Sequence, residues 1–280
     1  MAVVAPAGIY DPERLKRGMD LGRSWGLEFV DSPHLGDRHR YLAGTAEARS
    51  QDLRWALSAG HIDAVWFARG GYGTVQTLDA LPDRMDRRPI IGFSDATALH
   101  VALRGRGRPI HGPVLNALAA LNDADSQEAL RALLLEGGTV HLSGERVAGP
   151  SGAVRGPVTG GNLTVLASLC GTRDAWSAAG QIVVLEDVGE APYRLDRALT
   201  QLLRAGAFVG ARGIALGEFV SCKPPEGADW TLLDVLLERL GPLGVPIVAG
   251  LPVGHGARNH AWPVGGAGVL DAEGLHVDAG

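Results

Sequence analysis

Short apolar runs alternate regularly with amphipathic segments through the first 115 residues of this 280-residue chain. The runs have the length and composition of buried strands, and each intervening segment is long enough for a helix. The apolar runs lie at 2–5, 27–30, 64–67 and 90–91. Strands separated by helices pair in parallel, and the helices cover the two faces of the sheet. We therefore predict an N-terminal α/β domain with a doubly wound parallel sheet over residues 1–115.

Helix start signals support this interpretation. Asp11 is a preferred N-cap residue and Pro12 stands at the first helical position, so a helix should begin there. Further helices are expected over 46–57, after Gly73, and from Asp95 to about residue 103.

The pattern changes after residue 115. A helix is expected over 126–135, and the Gly-, Ser- and Pro-rich sequence that follows predicts a linker over residues 116–150. The remaining signals predict a smaller C-terminal domain of mixed α/β structure over residues 151–280. Its expected elements are strands at 181–185, 214–219 and 247–249, helices at 193–205 and 230–240, and a hairpin near 271–274.

Composition excludes several classes of protein. The formal net charge of −5, from 26 basic and 31 acidic residues, gives no electrostatic basis for binding nucleic acid or an anionic membrane. No apolar run reaches the ~20 residues of a membrane span, and the start of the chain does not resemble a signal peptide. We therefore expect a cytoplasmic protein without a nucleic-acid or membrane partner.

Metal and cofactor signatures are also missing from the sequence. The cysteines Cys170 and Cys222 form no CxxC pair, and the nine histidines include no HExxH, so we expect neither a metal nor a cofactor. The only lysines are Lys16 and Lys223, which argues against a P-loop, a Schiff base or a Ser–Lys dyad.

The stretch IIGFSDAT, residues 90–97, places Ser94 between an expected strand and an expected helix. A sharp turn at such a junction can expose a nucleophilic hydroxyl while the next backbone N–H faces an oxyanion. Serine is also a preferred helix N-cap, so the junction alone leaves both interpretations open.

The glycine-rich loop RGGYG, residues 69–73, follows the strand expected at 64–67. Its glycines could allow backbone N–H groups to approach a phosphate, although no lysine follows and the spacing is not GxGxxG. They could equally form a tight turn, or supply an oxyanion donor that complements the N–H of Asp95.

A general base and its orienting acid can be sought at strand ends of the C-terminal part. His255 lies in the glycine-flanked loop after the strand at 247–249, and Glu186 ends the strand at 181–185. A loop histidine is often merely solvated, and a carboxylate at a strand end often stabilises a turn. The order Ser94, Glu186, His255 is nevertheless compatible with one catalytic relay.

Together, these motifs resemble the LD-carboxypeptidase family of serine peptidases. The resemblance runs from Val3 to about residue 260 and depends on the order RGGYG, IGFSDATALH, HGP, GGNL, LEDVGEAPYRLDRALTQL, GEF and LPVGH. It implies a two-domain enzyme in which Ser94 is the nucleophile, Glu186 the orienting acid and His255 the base. The implied oxyanion donors are the backbone N–H groups of Asp95 and Gly71, and the implied substrate contacts are Arg69, Gly70, Tyr72 and Asn162.

The implied reaction removes the terminal D-alanine that is joined to an L-centre, diaminopimelate, in muropeptide tetrapeptides during cell-wall recycling. A small peptide is then the partner, and a homodimer is left open. The alternatives are a family member that cleaves a peptidyl-nucleotide or another amide, and a small-molecule binding protein in which RGGYG holds phosphate. Two departures stand out: PAG replaces the usual PSG at residues 6–8, and the inter-domain loop lacks a long insertion with a nucleotide-stacking tryptophan.

Overall fold

The computed structural model describes residues 1–103, 105–120 and 123–279. The strands of these residues are, in chain order, β1 (Ala2–Val4), β2 (Val30–Asp31), β3 (Val65–Phe67), β4 (Pro89–Gly92), β5 (Arg108–His111), β6 (Thr139–Ser143), β7 (Glu145–Ala148), β8 (Val154–Asn162), β9 (Ile182–Val188), β10 (Gly213–Val220), β11 (Ile247–Ala249), β12 (Trp262–Pro263), β13 (Ala267–Leu270) and β14 (Gly274–Asp278).

The α-helices are α1 (Pro12–Ser24), α2 (Ala46–Ser58), α3 (Thr97–Ala102), α4 (Leu115–Leu118), α5 (Ala124–Leu135), α6 (Leu163–Ser168), α7 (Pro192–Arg204) and α8 (Leu232–Leu240). Short 3₁₀ helices occur at Thr74–Ala80, Ser94–Ala96 and Gly241–Leu243. The start of α1 is confirmed, because the Asp11 side chain accepts the Arg14 N–H and Pro12 is the first helical residue.

The first sheet has the order β12–β5–β4–β3–β1–β2. Neighbours among β1 to β5 pair in parallel, and β12 joins this sheet antiparallel to β5. Alternate side chains enter different cores: Val4 and Ile90 pack in the core that contains α2 and α3 residues, whereas Val3 and Ile91 pack in the core that contains α1, α4 and α5 residues. The predicted parallel sheet with helices on both faces is therefore confirmed.

The second sheet has the order β6–β14–β13–β8–β9–β10–β11–β7. Its centre, β8 to β11, is parallel, and the flanking pairs are antiparallel, so the prediction of mixed α/β structure is also confirmed. The segment at 116–150, for which we expected a linker, contains α5 and the edge strands β6 and β7. The division into domains at residues 115 and 151 stays a prediction.

The end of β8 in the second sheet contacts helix α3, which follows Ser94. The Asn162 N–H at the end of β8 donates to the Thr97 hydroxyl at the start of α3, with a distance of 3.1 Å. A side chain at Gly161 would be 2.5 Å from that same hydroxyl oxygen, so the backbones can approach only because residue 161 is glycine. This contact fixes α3 against the strand that neighbours β9.

Candidate active site

Ser94 lies at the strand-to-helix junction that the sequence predicts. It follows β4, begins a 3₁₀ helix that leads into α3, and has a φ of 61°. A non-glycine residue in this left-handed region costs about 1–3 kcal/mol, and such strain is concentrated at functional sites. Within residues 94–102, all of which the structure describes, no side-chain capping bond begins either helix, so Ser94 is not an ordinary N-cap.

The RGGYG loop approaches Ser94 through Gly70. A Cβ at this position would be 3.0 Å from the Ser94 Cβ and 3.2 Å from its Oγ, so the loop depends on glycine here. The Gly70 carbonyl accepts the Gly8 N–H at 3.1 Å, and Gly71 has a φ of 110°. The helix expected after Gly73 is present as a 3₁₀ helix over residues 74–80.

His255 and Glu186 form a direct pair across the second sheet. The His255 Nδ1 lies 2.7 Å from the Glu186 Oε2. A carboxylate at this distance favours the tautomer in which Nδ1 carries the proton and Nε2 is free to accept one. Gly254 has a φ of 132°, and a Cβ there would be 3.0 Å from Glu186 Oε2, so the loop needs glycine before the histidine.

The environment of Glu186 is unusual for a carboxylate. Its side chain is 0% exposed, whereas that of His255 is 18% exposed. Burial raises the pKa of Glu186, and the hydrogen bond from His255 partly opposes this increase. The adjacent Asp187 faces elsewhere and accepts hydrogen bonds from the Thr164 N–H and hydroxyl. His255 is therefore the main group that compensates a charge on Glu186.

An aromatic row packs behind the histidine. The Phe93 ring centroid lies 4.7 Å from that of His255 and 5.9 Å from that of His111. Trp262 of β12 stacks on His111 at 5.1 Å. Burial lowers the pKa of His111 well below its usual value, so this histidine is a neutral packing residue. Phe93 was not among the site residues predicted from the sequence, although its place beside Ser94 in GFSD was a signal.

One cavity of about 620 Å³ brings most of the predicted residues together. Its lining includes Ser94, His255, Arg69, Gly70 and Gly71. The residues that complete the wall were not predicted from the sequence to line a site, and they are Asp11, Arg14, Phe93, Val114, Asn116, Ala117 and Val188. Most of them come from the start of α1 and from α4, which carry no recognisable motif.

Two predicted substrate contacts lie elsewhere. Asn162 is buried: its Oδ1 caps α6 by accepting the Val165 N–H, and its Nδ2 donates to Asp187 at 3.0 Å. Tyr72 is exposed, and its ring lies 6.3 Å from that of Tyr41. Neither residue is among those that line the cavity. Their roles in substrate binding stay predictions.

Among residues 1–103, 105–120 and 123–279, no group of three or more His, Cys, Asp or Glu side chains is arranged to hold a metal ion. No helix within those ranges combines the length and apolar character needed to cross a membrane.

Comparison with known families gives two matches that together span most of the chain. Residues 1–112 match the LD-carboxypeptidase N-terminal domain, and residues 155–270 match the LD-carboxypeptidase C-terminal domain. A Streptomyces coelicolor relative is 42% identical over 98% of this chain and 90% of its own length. The murein tetrapeptide carboxypeptidase of Pseudomonas aeruginosa is 39% identical over 98% of this chain and 94% of its own length.

Solved structures give the same fold. The muramoyltetrapeptide carboxypeptidase of Oxalobacter formigenes aligns with a TM-score of 0.85 at 27% identity, covering 99% of both chains. The microcin immunity protein MccF, in complex with glutamyl sulfamoyl guanosine, aligns with a TM-score of 0.83 at 20% identity, covering 99% of this chain and 95% of its own. At that identity, the second likeness concerns the fold alone.

Proposed function

The chain belongs to the LD-carboxypeptidase family, and we propose that it is a serine carboxypeptidase that releases terminal D-alanine from muropeptide tetrapeptides. The bond cleaved is the amide between the L-centre of diaminopimelate and that alanine. The observation that carries the proposal is the hydrogen-bonded pair of buried Glu186 and partly exposed His255, whose histidine shares a cavity with the strained Ser94.

In the proposed mechanism, the free Nε2 of His255 accepts the Ser94 hydroxyl proton as Oγ attacks the carbonyl carbon. Glu186 keeps the imidazole in the required tautomer and stabilises the imidazolium that forms. Collapse of the tetrahedral intermediate transfers the proton to the departing alanine nitrogen and leaves an acyl-enzyme. Water, deprotonated by His255, then releases the shortened peptide and restores Ser94.

The oxyanion of the intermediate needs donors that are already in place. We assign this role to the backbone N–H groups of Asp95 and Gly71, one from each side of the Ser94 hydroxyl. Gly71 lines the cavity beside Ser94, and Asp95 directly follows the nucleophile, as the next residue does in a nucleophile elbow.

The proposed activity predicts strong discrimination at the terminal residue. Inverting the terminal alanine moves either its carboxylate or its methyl group away from its partner, and a displacement of about 1 Å can cost about 100-fold in rate. We expect the D-alanine tetrapeptide to be cleaved at least about 100-fold faster than its L-alanine epimer, and internal amides to remain intact. Alanine release from both epimers, measured side by side, checks this. Equal rates for the two epimers would contradict the proposed LD-carboxypeptidase activity.

Gly70→Ala should also lower activity without unfolding the protein. The added methyl group would lie 3.0 Å from the Ser94 Cβ, so Ser94 or the loop must move. We expect kcat/KM for the tetrapeptide to fall about 100-fold, the cost of a shift of about 1 Å at the reacting atoms. Gly60→Ala is the matched control, because a Cβ there meets nothing within 4 Å. Similar kinetics for the two variants would mean that the Gly70 contact has no role in placing Ser94.

A second candidate function is hydrolysis of a peptidyl-nucleotide. The exposed Tyr41–Tyr72 pair favours it, because adjacent aromatic rings can stack on a base. Competition experiments with a nonhydrolysable peptidyl-adenylate analogue separate the two functions. Under the main proposal, this analogue inhibits tetrapeptide cleavage no better than the peptide part alone. A cytoplasmic location stays a prediction that cell fractionation would check, and light scattering would decide the oligomeric state, which the sequence leaves open.

A further inference from the structure

The side chain of Asp95 has an arrangement that its backbone role does not require. Asp95 is 3% exposed, and its carboxylate points to the loop that contains Gly70 and Gly71 rather than to the cavity. Its Oδ2 accepts the backbone N–H of Thr74 at 2.8 Å. Thr74 begins the 3₁₀ helix that ends the RGGYG loop, and that helix has no capping bond from its own N-cap residue, Gly73. The residue after the nucleophile therefore caps the oxyanion loop.

A buried arginine holds the same loop from the other side. Arg49 is 1% exposed, and its Nη1 donates to the Gly73 carbonyl at 2.8 Å and to the Pro6 carbonyl at 2.5 Å. Burial raises the pKa of Asp95, whereas Thr74 and the charge of Arg49 oppose this increase. The peptide unit between Gly73 and Thr74 is thus bound at its oxygen by a cation and at its nitrogen by a carboxylate.

We propose that the Asp95 carboxylate is a positioning residue that fixes the separation of the two oxyanion donors, the N–H of Asp95 itself and the N–H of Gly71. The inference rests on the proposed function. An oxyanion hole needs both donors within about 2.7–3.1 Å of one oxygen position, so its two loops must keep a constant distance. Asp95 provides one donor and also binds the N–H of Thr74, three residues after Gly71, so one side chain links the two donor loops directly.

Three variants test this connection from both ends. Asp95→Ala removes the acceptor, and Thr74→Pro removes the donor at a position where a helix tolerates proline. Asp95→Asn keeps an oxygen that can accept the Thr74 N–H but lacks the charge. We expect the first two to lower kcat about 100-fold with little change in KM, the cost of losing one oxyanion donor, and Asp95→Asn to recover most of the rate.

Asp52→Asn is the matched control. Asp52 is a buried carboxylate of α2 that accepts the Ser32 hydroxyl at 2.7 Å, and it is not among the residues that line the cavity. The activity of Asp52→Asn should stay within about threefold of wild type, as expected for a residue that makes no contact with the transition state.

A binding measurement separates positioning from a general structural effect. An aldehyde analogue of the peptide that ends at diaminopimelate forms a tetrahedral adduct with Ser94, whereas the tripeptide product does not. Asp95→Ala and Thr74→Pro should lower the affinity for the aldehyde by about the factor by which they lower kcat/KM. The affinity for the tripeptide should stay unchanged. Equal weakening of both ligands, or rates within about threefold of wild type, would overturn the proposal.

Labelling of Ser94 by a fluorophosphonate gives a readout that does not depend on the natural substrate. The proposal expects about 100-fold slower labelling in Asp95→Ala and Thr74→Pro, because the phosphonyl oxygen occupies the same hole. If wild type labels at Ser94 but releases no alanine, the proposed function fails while these labelling rates still decide the role of Asp95. If Asp95→Ala does not fold, Thr74→Pro decides it alone.

Discussion

Replacing Ser94 or His255 by alanine is expected to lower kcat by about 10⁴-fold or more, with the double replacement costing little beyond the worse single one. A nucleophile and its base act in one proton transfer, so removing either removes the whole contribution of the pair. The structure supports this expectation, because both residues line one cavity and His255 receives its orientation from Glu186. Steady-state kinetics of the three variants on the tetrapeptide provide the measurement.

His260→Ala is the control for the histidine replacement. His260 lies five residues further along the same loop, with its Nε2 3.4 Å from Asp123, and it is not among the residues that line the cavity. Its activity should remain near that of wild type. Losses that simply add in the Ser94 and His255 double variant would count against a shared relay.

Glu186→Gln should reduce kcat by about 10⁴-fold while leaving the protein folded. A glutamine amide can present an N–H to Nδ1 and so favour the imidazole tautomer that has no free Nε2. It also removes the charge that stabilises the imidazolium. Circular dichroism and kinetics on the same preparation measure both effects.

The same replacement is expected to raise the Tm near neutral pH. Because burial raises the pKa of Glu186, the folded state binds its proton more readily than the unfolded chain does. The contribution of the Glu186 carboxyl group to folded-state stability is fully present below its unfolded pKa. It is lost as pH rises through the raised pKa of the folded state. The Tm advantage of Glu186→Gln should therefore grow as pH rises through that range and vanish in acid.

The control here is Glu218→Gln on the neighbouring strand β10, where Glu218 pairs with Arg258 and is 23% exposed. This variant should keep most of the activity and show no pH-dependent Tm advantage. If Glu186→Gln kept the wild-type rate, Glu186 would have only a structural role.

The sequence was sufficient to predict local structure where that structure depends on residues that are neighbours along the chain. The strand, turn and helix around Ser94 were predictable because IIGFSDAT contains an apolar run, a glycine and a helix start in direct succession. The pairing of Glu186 with His255 was indicated only by motif order and family resemblance. Its 2.7 Å distance depends on how β9 and the loop after β11 pack together.

Strand β8 shows why some strands could not be predicted from the sequence. Its sequence VRGPVTGGN contains glycines and a proline, which usually indicate turns. In the structure, a Cβ at Gly160 would be 2.0 Å from the Val184 carbonyl, so this glycine permits close pairing with β9. Similar glycine signals around the edge strands β6 and β7 favoured a linker instead of strands. Cavity residues such as Arg14 and Asn116 come from elements far apart in sequence, and only the tertiary structure brings them together.

Active-serine labelling with peptide mass mapping tests whether Ser94 is the nucleophile that cleaves the tetrapeptide. Wild-type protein, Ser94→Ala and His260→Ala are treated with a fluorophosphonate, and alanine release from the tetrapeptide is measured before and after treatment. We expect one adduct on Ser94 in wild type and in His260→Ala, with activity lost in proportion to labelling, and no adduct in Ser94→Ala. Labelling at another residue, or full tetrapeptide cleavage by Ser94→Ala, would contradict it.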